Sequence, residues 1–251
     1  ASTQTPPLLE GDRMLALSSI AQGAFTLNGV SLSAASPSGS GVMQARDLKT
    51  WIDSNISTNS SLTGFSITAQ NDIKVQAKNI NLNLSVYLKG GSGTEVQITA
   101  PSGGFANLQT MVDAINTART SNPDFRILAS QDPNGDLVLT NTNGYAGEDI
   151  SVGASPIPNA LGLSSGTYKG KISITRTLNS GDNTVALGFG TGTPAELAQL
   201  GFRSAAYING NANEDLLVFV TGKGEAKVAA SYKGEPANNK ESLRAQPLQI
   251  K

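Results

Sequence analysis

The sequence of 251 residues contains no cysteine and no histidine. The first absence excludes thiolate zinc sites and cysteine nucleophiles, and the second excludes imidazole bases, so no Ser-His or Cys-His catalytic pair exists. Charge is scarce as well, because only 15% of the residues are charged and 18 Lys and Arg against 19 Asp and Glu leave a net charge of -1. Nucleic-acid and anionic-membrane binding rest on clustered positive charge, so we expect neither partner.

Long apolar runs and aromatic residues are also missing. No apolar run approaches the roughly 20 residues that span a bilayer, and aromatic residues make up 5% of the chain. So few rings argue against a sugar-binding surface built from exposed Trp and Tyr. The chain contains instead 27 glycines and 11 prolines, which is typical of many short strands joined by tight turns. We therefore expect a strand-rich protein that is not an enzyme and holds no cofactor.

An internal repeat organises much of the chain. Six residues recur at an offset of 60 positions: Leu48, Ile52, Asp53, Phe65, Ile67 and Ala69 align with Leu108, Val112, Asp113, Phe125, Ile127 and Ala129. Apolar residues at steps of three and four predict one buried stripe on a short helix in each copy. The stripes are Leu48, Trp51, Ile52 and Ile56 in the first copy and Leu108, Met111, Val112 and Ile115 in the second.

Strand-like segments flank each predicted helix. In chain order they are residues 25–27, 65–69 and 73–75 in the first copy and 96–98, 125–129 and 137–139 in the second. The turns at residues 70–72 and 132–136 separate the last two segments of each copy and predict hairpins. Each copy therefore predicts the order β-α-β-β.

A third, weaker copy follows. Residues 185–187 predict a strand, and Thr193-Pro194 begins a predicted short helix, since Thr suits the N-cap and Pro the first helical position. A hairpin of residues 205–209 and 216–220, turning at Asn209-Gly210, completes the copy. The apolar run in the second of these strands predicts burial on both faces.

The repeated units predict an α+β, strand-rich fold of two or three small β-α-β-β modules in tandem or nested. Segments rich in Gly, Ser and Pro place the boundaries near residues 90 and 165. The predicted organisation is a linker at 1–20, a first module at 21–90, a second at 91–165, a third strand-rich module at 166–235 and a return segment at 236–251. We expect the chain to be the middle of a longer protein, to which this return segment leads.

Residues 25–30 (Phe-Thr-Leu-Asn-Gly-Val), 107–116 and 136–142 together resemble the flagellin hook IN motif, with Ile115-Asn116 as its Ile-Asn pair. That motif occurs in the exposed middle regions of bacterial flagellins and hook-associated proteins. The first copy departs from the motif, because Asp53 is followed by Ser54-Asn55. The tail at 242–251 is similar to hook-filament junction proteins, which favours these over flagellin itself. The motif and framework residues are Asn28, Leu48, Trp51, Ile52, Phe65, Leu108, Val112, Ile115, Asn116 and Phe125.

The resemblance implies a structural component that is exported unfolded through the flagellar type III apparatus, without a cleaved signal peptide, and assembled outside the cell. Its partners would be other flagellar axial proteins (hook, junction and filament subunits), bound through regions outside this fragment, because no sustained heptad repeat appears here. The fragment itself would be monomeric. The alternative is an extracellular adhesin or filament-cap module that contacts a host surface or glycan. We nominate no catalytic or cofactor-binding residue for either function.

One turn has the composition of a metal site. Asp132, Asn134 and Asp136 place oxygen ligands at alternate positions, as calcium loops do, but the bidentate Glu of such loops is missing. Pro133 and Asn134-Gly135 are at the same time ordinary turn residues. We therefore predict a hairpin turn here and nominate no metal ligand.

Overall fold

The computed structural model describes residues 6–39, 41–180, 185–202, 214–220 and 226–232. These residues form three α-helices: α1 (Ala45–Thr58), α2 (Leu108–Ser121) and α3 (Pro194–Gln199). The strands are β1 (Leu8–Glu10), β2 (Thr26–Leu27), β3 (Val30–Ser31), β4 (Phe65–Gln70), β5 (Ile73–Val75), β6 (Val86–Gly90), β7 (Val96–Ile98), β8 (Ile127–Gln131), β9 (Leu137–Asn141), β10 (Ile150–Val152), β11 (Gly166–Tyr168), β12 (Lys171–Arg176), β13 (Val185–Gly188), β14 (Glu214–Val220) and β15 (Ala226–Tyr232). Few helices and several small sheets confirm the strand-rich α+β class.

The chain divides into two compact units that alternate along the sequence. Unit 1 comprises Ala1–Met43, Asp47–Thr68 and Lys171–Lys251, and unit 2 comprises Gln44–Arg46 and Ala69–Gly170. This division follows tertiary packing, whereas the modules of the sequence analysis follow the repeat, and the boundaries of those modules stay a prediction. Part of the predicted linker forms β1, and the predicted return segment lies outside the described residues.

Unit 1 contains two sheets, ordered β1-β12-β4 and β15-β14-β13-β2-β3. Strand β4 alternates buried and exposed residues along its whole length, as a strand with one buried face must. In the predicted stripe of α1, Ile56 is only half-buried, whereas Trp51 is buried and Leu48 and Ile52 are fully so. Each such aliphatic side chain contributes roughly 1.5–3 kcal/mol by leaving water, so this stripe anchors the helix.

Unit 2 also contains two sheets, ordered β11-β10-β6-β7 and β5-β9-β8, and α2 contacts β7 and β8. Helix α2 begins after Asn107, whose side chain accepts a hydrogen bond from Thr110 N at 2.9 Å, an N-cap that satisfies one free backbone donor. The helix buries Met111, Val112 and Ile115 in one continuous core with residues of both sheets. Leu108, at the start of the stripe, is only half-buried.

The predicted hairpin of the second copy is confirmed, and that of the first copy is wrong. Strands β8 and β9 pair antiparallel across the turn at residues 132–136. Strand β4 instead lies in the sheet with β12, while β5 pairs with β9, placing Ile73 opposite Leu139. The turn of the first copy contains no glycine for a tight primed turn. Its Asn71 is buried and donates hydrogen bonds to the main-chain oxygens of Glu148 and Tyr168.

The third copy is partly described. Helix α3 carries Thr193 as N-cap, which accepts from Glu196 N, and Pro at the first turn, as predicted. Strand β13 pairs with both β2 and β14, and β14 pairs with β15. The predicted strand at 205–209 and turn at Asn209-Gly210 lie outside the described residues, as do the side chains whose burial was predicted for 216–220.

Candidate functional site

A set of charged side chains in unit 2 surrounds Glu148, whose side chain is 5% exposed. Its Oε1 accepts a hydrogen bond from Arg46 Nη1 at 3.0 Å and its Oε2 accepts one from Arg126 Nη1 at 2.9 Å. Both guanidinium carbons lie over the Tyr145 ring, at 5.0 and 3.9 Å from its centroid, which adds cation–π attraction. Arg126 also pairs with Asp124 at 3.0 Å. We call these five residues the Glu148 cluster.

The charged groups of the Glu148 cluster form ion pairs with one another. Burial lowers the pKa of Arg126, but its hydrogen bonds to Glu148 and Asp124 outweigh burial and raise the pKa above its ordinary value. The guanidinium therefore stays charged. Both carboxylate oxygens of Glu148 accept hydrogen bonds from guanidinium groups, and charge-assisted bonds of this kind are about twice as strong as neutral ones. This arrangement is suited to cross-linking chain segments.

Amide side chains extend the cross-link around the main chain of Glu148. Asn71 Nδ2 and Asn141 Nδ2 donate to the Glu148 carbonyl oxygen, at 2.9 and 2.7 Å. Next along the chain, Asp149 N donates to Gln44 Oε1 at 2.7 Å, and the Asp149 carboxylate pairs with Lys169 at 2.9 Å. Each of these bonds avoids the cost of about 1–3 kcal/mol that a buried polar group incurs when it is left unpaired. Together they connect separate segments of unit 2.

Asn116, the Asn of the Ile-Asn pair, closes the open edge of a sheet. Its Nδ2 donates to Ala129 O at 2.8 Å and its Oδ1 accepts from Ala129 N at 2.9 Å. Arg119 donates to the same Oδ1 at 2.9 Å. Ala129 belongs to β8, the edge strand of its sheet, and an edge strand offers unpaired N–H and C=O groups. The Asn116 amide therefore takes the place of a neighbouring strand, and we call this pair of bonds the Asn116 clamp.

Asn28 has a similar task in unit 1. Asn28 and Gly29 have φ values of 47° and 80°, the left-handed pair of a type I′ turn, and they join β2 to β3. Asn28 N donates to Ala186 O, and Asn28 Oδ1 accepts from Ala186 N, both at 2.8 Å. One asparagine thus makes the tight turn and pairs with the neighbouring strand β13.

Helix α1 is held to the segment after β3 by side chains. Trp51 Nε1 donates to Ser33 O at 2.8 Å, and Asn55 Oδ1 accepts from Ser33 N at 3.0 Å. The Trp51 ring meets the Phe25 ring edge to face, with centroids 5.8 Å apart. Trp51 is 5% exposed, so its ring has no face available for stacking on a sugar.

The turn at residues 132–136 forms an ion pair. Asp132 Oδ2 lies 2.6 Å from Lys74 Nζ, and Asp132 Oδ1 accepts from the main chain of Asn134 and Asp136. The hydrogen bond between them raises the pKa of Lys74 and lowers the pKa of Asp132. A cation would compete with that ammonium and those N–H groups. Within the described ranges, no group of three or more acidic, Cys or His side chains is placed to hold a metal ion.

The residues nominated from the sequence do not meet at one site. In unit 1, Leu48, Trp51, Ile52 and Phe65 are buried and Asn28 forms the turn; in unit 2, Val112, Ile115 and Phe125 are buried, Leu108 is half-buried and Asn116 forms the clamp. None of the residues of the Glu148 cluster belongs to that set. Arg46 lies 102 positions from Glu148, and no local pattern signals a pair so distant in sequence.

Among the described residues, none of the helices combines the length and the apolar character that crossing a bilayer demands. No family model matches the chain, and no curated protein sequence matches it.

Proposed function

We propose that this chain is the structural, surface-exposed middle region of a flagellar hook-associated protein of the hook-filament junction, assembled outside the cell. One observation carries the proposal: the residues that resemble the flagellin hook IN motif each have an architectural task. Ile115 is fully buried beside Asn116, the Asn116 clamp closes the edge of β8, and Asn28 joins two strands and pairs with a third.

The lack of cysteine is a second observation that supports this proposal. A chain that is exported unfolded must refold after release, and one without cysteine needs no oxidation step to do so. Stability outside the cell then rests on packing and polar cross-links. The Glu148 cluster is a cross-link of this kind between residues up to 102 positions apart, and the Asn116 clamp joins α2 to β8.

The proposed partners are the other axial proteins of the flagellum, bound through regions outside this chain. No nucleic acid and no membrane is part of the proposal, in keeping with a net charge of -1. The alternative function, an extracellular adhesin or filament-cap module, would need a surface that recognises a host molecule. Trp51 is buried, and Tyr145 lies against two guanidinium groups, so neither ring supports a glycan site.

Immunogold electron microscopy of the producing cells tests the location. Antibodies against this chain should label the point where each hook meets its filament. Labelling along the whole filament would indicate a filament subunit instead, and labelling over the cell body would support the adhesin. A matched strain without the flagellar export apparatus should retain the chain inside the cell, whereas an adhesin with its own export route would still reach the surface.

A glycan array tests the alternative directly. We expect no saturable binding by the purified chain. Saturable binding that is abolished in a Tyr145→Ala variant, with an unchanged circular dichroism spectrum, would count against a purely structural role.

A further inference from the structure

The sequence contains four Asn-Gly pairs, at residues 28–29, 134–135, 143–144 and 209–210, of which the last lies outside the described residues. Asparagine is chemically labile, and most so before glycine, whose amide nitrogen carries no neighbouring side chain to shield it. That nitrogen attacks the side-chain carbonyl carbon of the asparagine. A C–N bond forms, ammonia leaves, and water then opens the succinimide ring to aspartate or isoaspartate. The reaction needs water alone and no oxidant or catalyst.

A folded structure slows this reaction wherever it holds the two reacting groups apart. At Asn28 the side-chain oxygen accepts from Ala186 N at 2.8 Å, and Asn28 N donates to Ala186 O at the same distance. The attack requires the side-chain carbonyl carbon to swing towards Gly29 N, and such a swing breaks the first of these bonds. Opening a paired strand of the sheet costs free energy, so Asn28 is protected.

At Asn134 the hydrogen bonds of the turn protect the attacking atom, the main-chain nitrogen of Gly135. Gly135 N donates to Asp132 O at 2.9 Å, and Asn134 N donates to Asp132 Oδ1 at 2.9 Å. The glycine nitrogen must lose its proton before it can attack, and a hydrogen-bonded N–H beside a carboxylate loses that proton less readily. The turn itself must also rearrange. Asn134 is exposed, so its protection comes from the hydrogen bonds of the turn and not from burial.

Asn143 has neither protection. Its side chain is exposed, and neither that side chain nor Gly144 N makes a hydrogen bond anywhere in the part of the chain that the structure describes. The space around Gly144 is open, as it is around Gly29 and Gly135, because a Cβ atom built at any of these three glycines would meet nothing within 4 Å; the hydrogen bonds alone distinguish the three pairs. The nucleophile and its target are therefore both free to approach.

We propose that Asn143 is a site of spontaneous modification, deamidating in the folded chain while the fold protects Asn28 and Asn134. The site follows β9, which ends at Asn141, and precedes the Glu148 cluster. Tyr145 N donates to Thr142 O at 3.0 Å across this pair. Isoaspartate adds one carbon to the main chain at this point, so the modification alters the loop that places Tyr145 between its two guanidinium groups.

Peptide mapping by mass spectrometry tests the proposal. The purified chain is incubated at mildly alkaline pH, both folded and in concentrated urea, and the loss of each asparagine amide is followed over time. In urea the Asn-Gly pairs should convert at similar rates. In the folded chain, conversion of Asn28 and Asn134 should slow several-fold or more, whereas conversion of Asn143 should proceed at nearly the rate seen in urea.

An Asn143→Gln variant is the matched control, because glutamine keeps the amide but would have to close a larger ring. It should lose the conversion in its own peptide and leave the rates at Asn28 and Asn134 unchanged. Protection of Asn143 in the folded chain as strong as that of Asn134 would overturn the proposal. So would conversion of the Asn143 peptide at an unchanged rate in the Asn143→Gln variant, since the mass change would then come from another residue.

Discussion

Replacing Asn116 with alanine removes both bonds of the Asn116 clamp from the edge of β8. Each intramolecular hydrogen bond contributes about 1 kcal/mol net, and a buried polar group left without a partner costs about 1–3 kcal/mol. Ala129, which supplies both partners, is 3% exposed, so solvent does not readily replace the lost bonds. We expect Asn116→Ala to lower the free energy of unfolding of unit 2 by about 2–4 kcal/mol.

Urea unfolding followed by far-ultraviolet circular dichroism measures this loss. Trp51 is the only tryptophan and lies in unit 1, so its fluorescence reports on unit 1, whereas circular dichroism reports on both units. Hydrogen exchange at the Ala129 amide gives a local measurement, because Asn116 Oδ1 accepts that proton. The amide should exchange faster in Asn116→Ala by the factor that the lost free energy implies.

Two further variants separate the clamp from general effects of mutating the helix. Thr117→Ala changes the neighbouring exposed residue of α2 and should shift stability by no more than about 0.5 kcal/mol. Asn116→Asp keeps the size of the side chain but turns an oxygen towards Ala129 O in place of the donor, so it should destabilise despite unchanged packing. If Asn116→Ala has the same free energy of unfolding as Thr117→Ala, and its Ala129 amide keeps its protection from exchange, then the Asn116 clamp contributes no stability.

Two other predictions concern a glycine and an ion pair. Gly91→Ala should destabilise unit 2 more than Gly103→Ala in the same urea assay. Both glycines have positive φ, but only a Cβ at Gly91 collides with the Glu148 carboxylate. Equal losses of unfolding free energy in the two variants would contradict this prediction. Because Lys74 holds the pKa of Asp132 below its usual range, the stability from this pair is present at neutral pH and is lost as the pH falls below about 4. It is also lost as the pH rises through the raised pKa of Lys74. In Asp132→Asn, the free energy of unfolding should therefore fall less at acidic pH and less at alkaline pH than in the unmodified chain. The same falls in both proteins would show that other groups cause them.

The helices were predictable because their signals are local. The stripe of α2 repeats within one or two turns, and the cap and proline at Thr193-Pro194 lie next to the helix they begin. The hairpin of β8 and β9 was predictable for the same reason, since the turn at residues 132–136 holds its own turn residues and hydrogen bonds.

Strand partners and polar cross-links were not predictable in this way. Alternation along residues 73–75 shows that one face is buried, but it says nothing about which strand lies alongside. The partner is β9, with Ile73 opposite Leu139, although the short turn at residues 70–72 predicts pairing with the preceding strand. The Asn116 clamp shows the same limit, because Asn116 was nominated for its place in a motif and not for its bonds to Ala129.

The amino-acid sequence alone determined the strand-rich α+β class, the three helices and the absence of cysteine and histidine chemistry. Each of these depends on composition or on residues a few positions apart. Tertiary structure alone decided that β5 pairs with β9, that Asn116 closes the edge of β8 and that Arg46 and Arg126 share Glu148. These contacts join residues 13 to 102 positions apart in the sequence, and which of the many possible partners meet is set by how all the segments pack together.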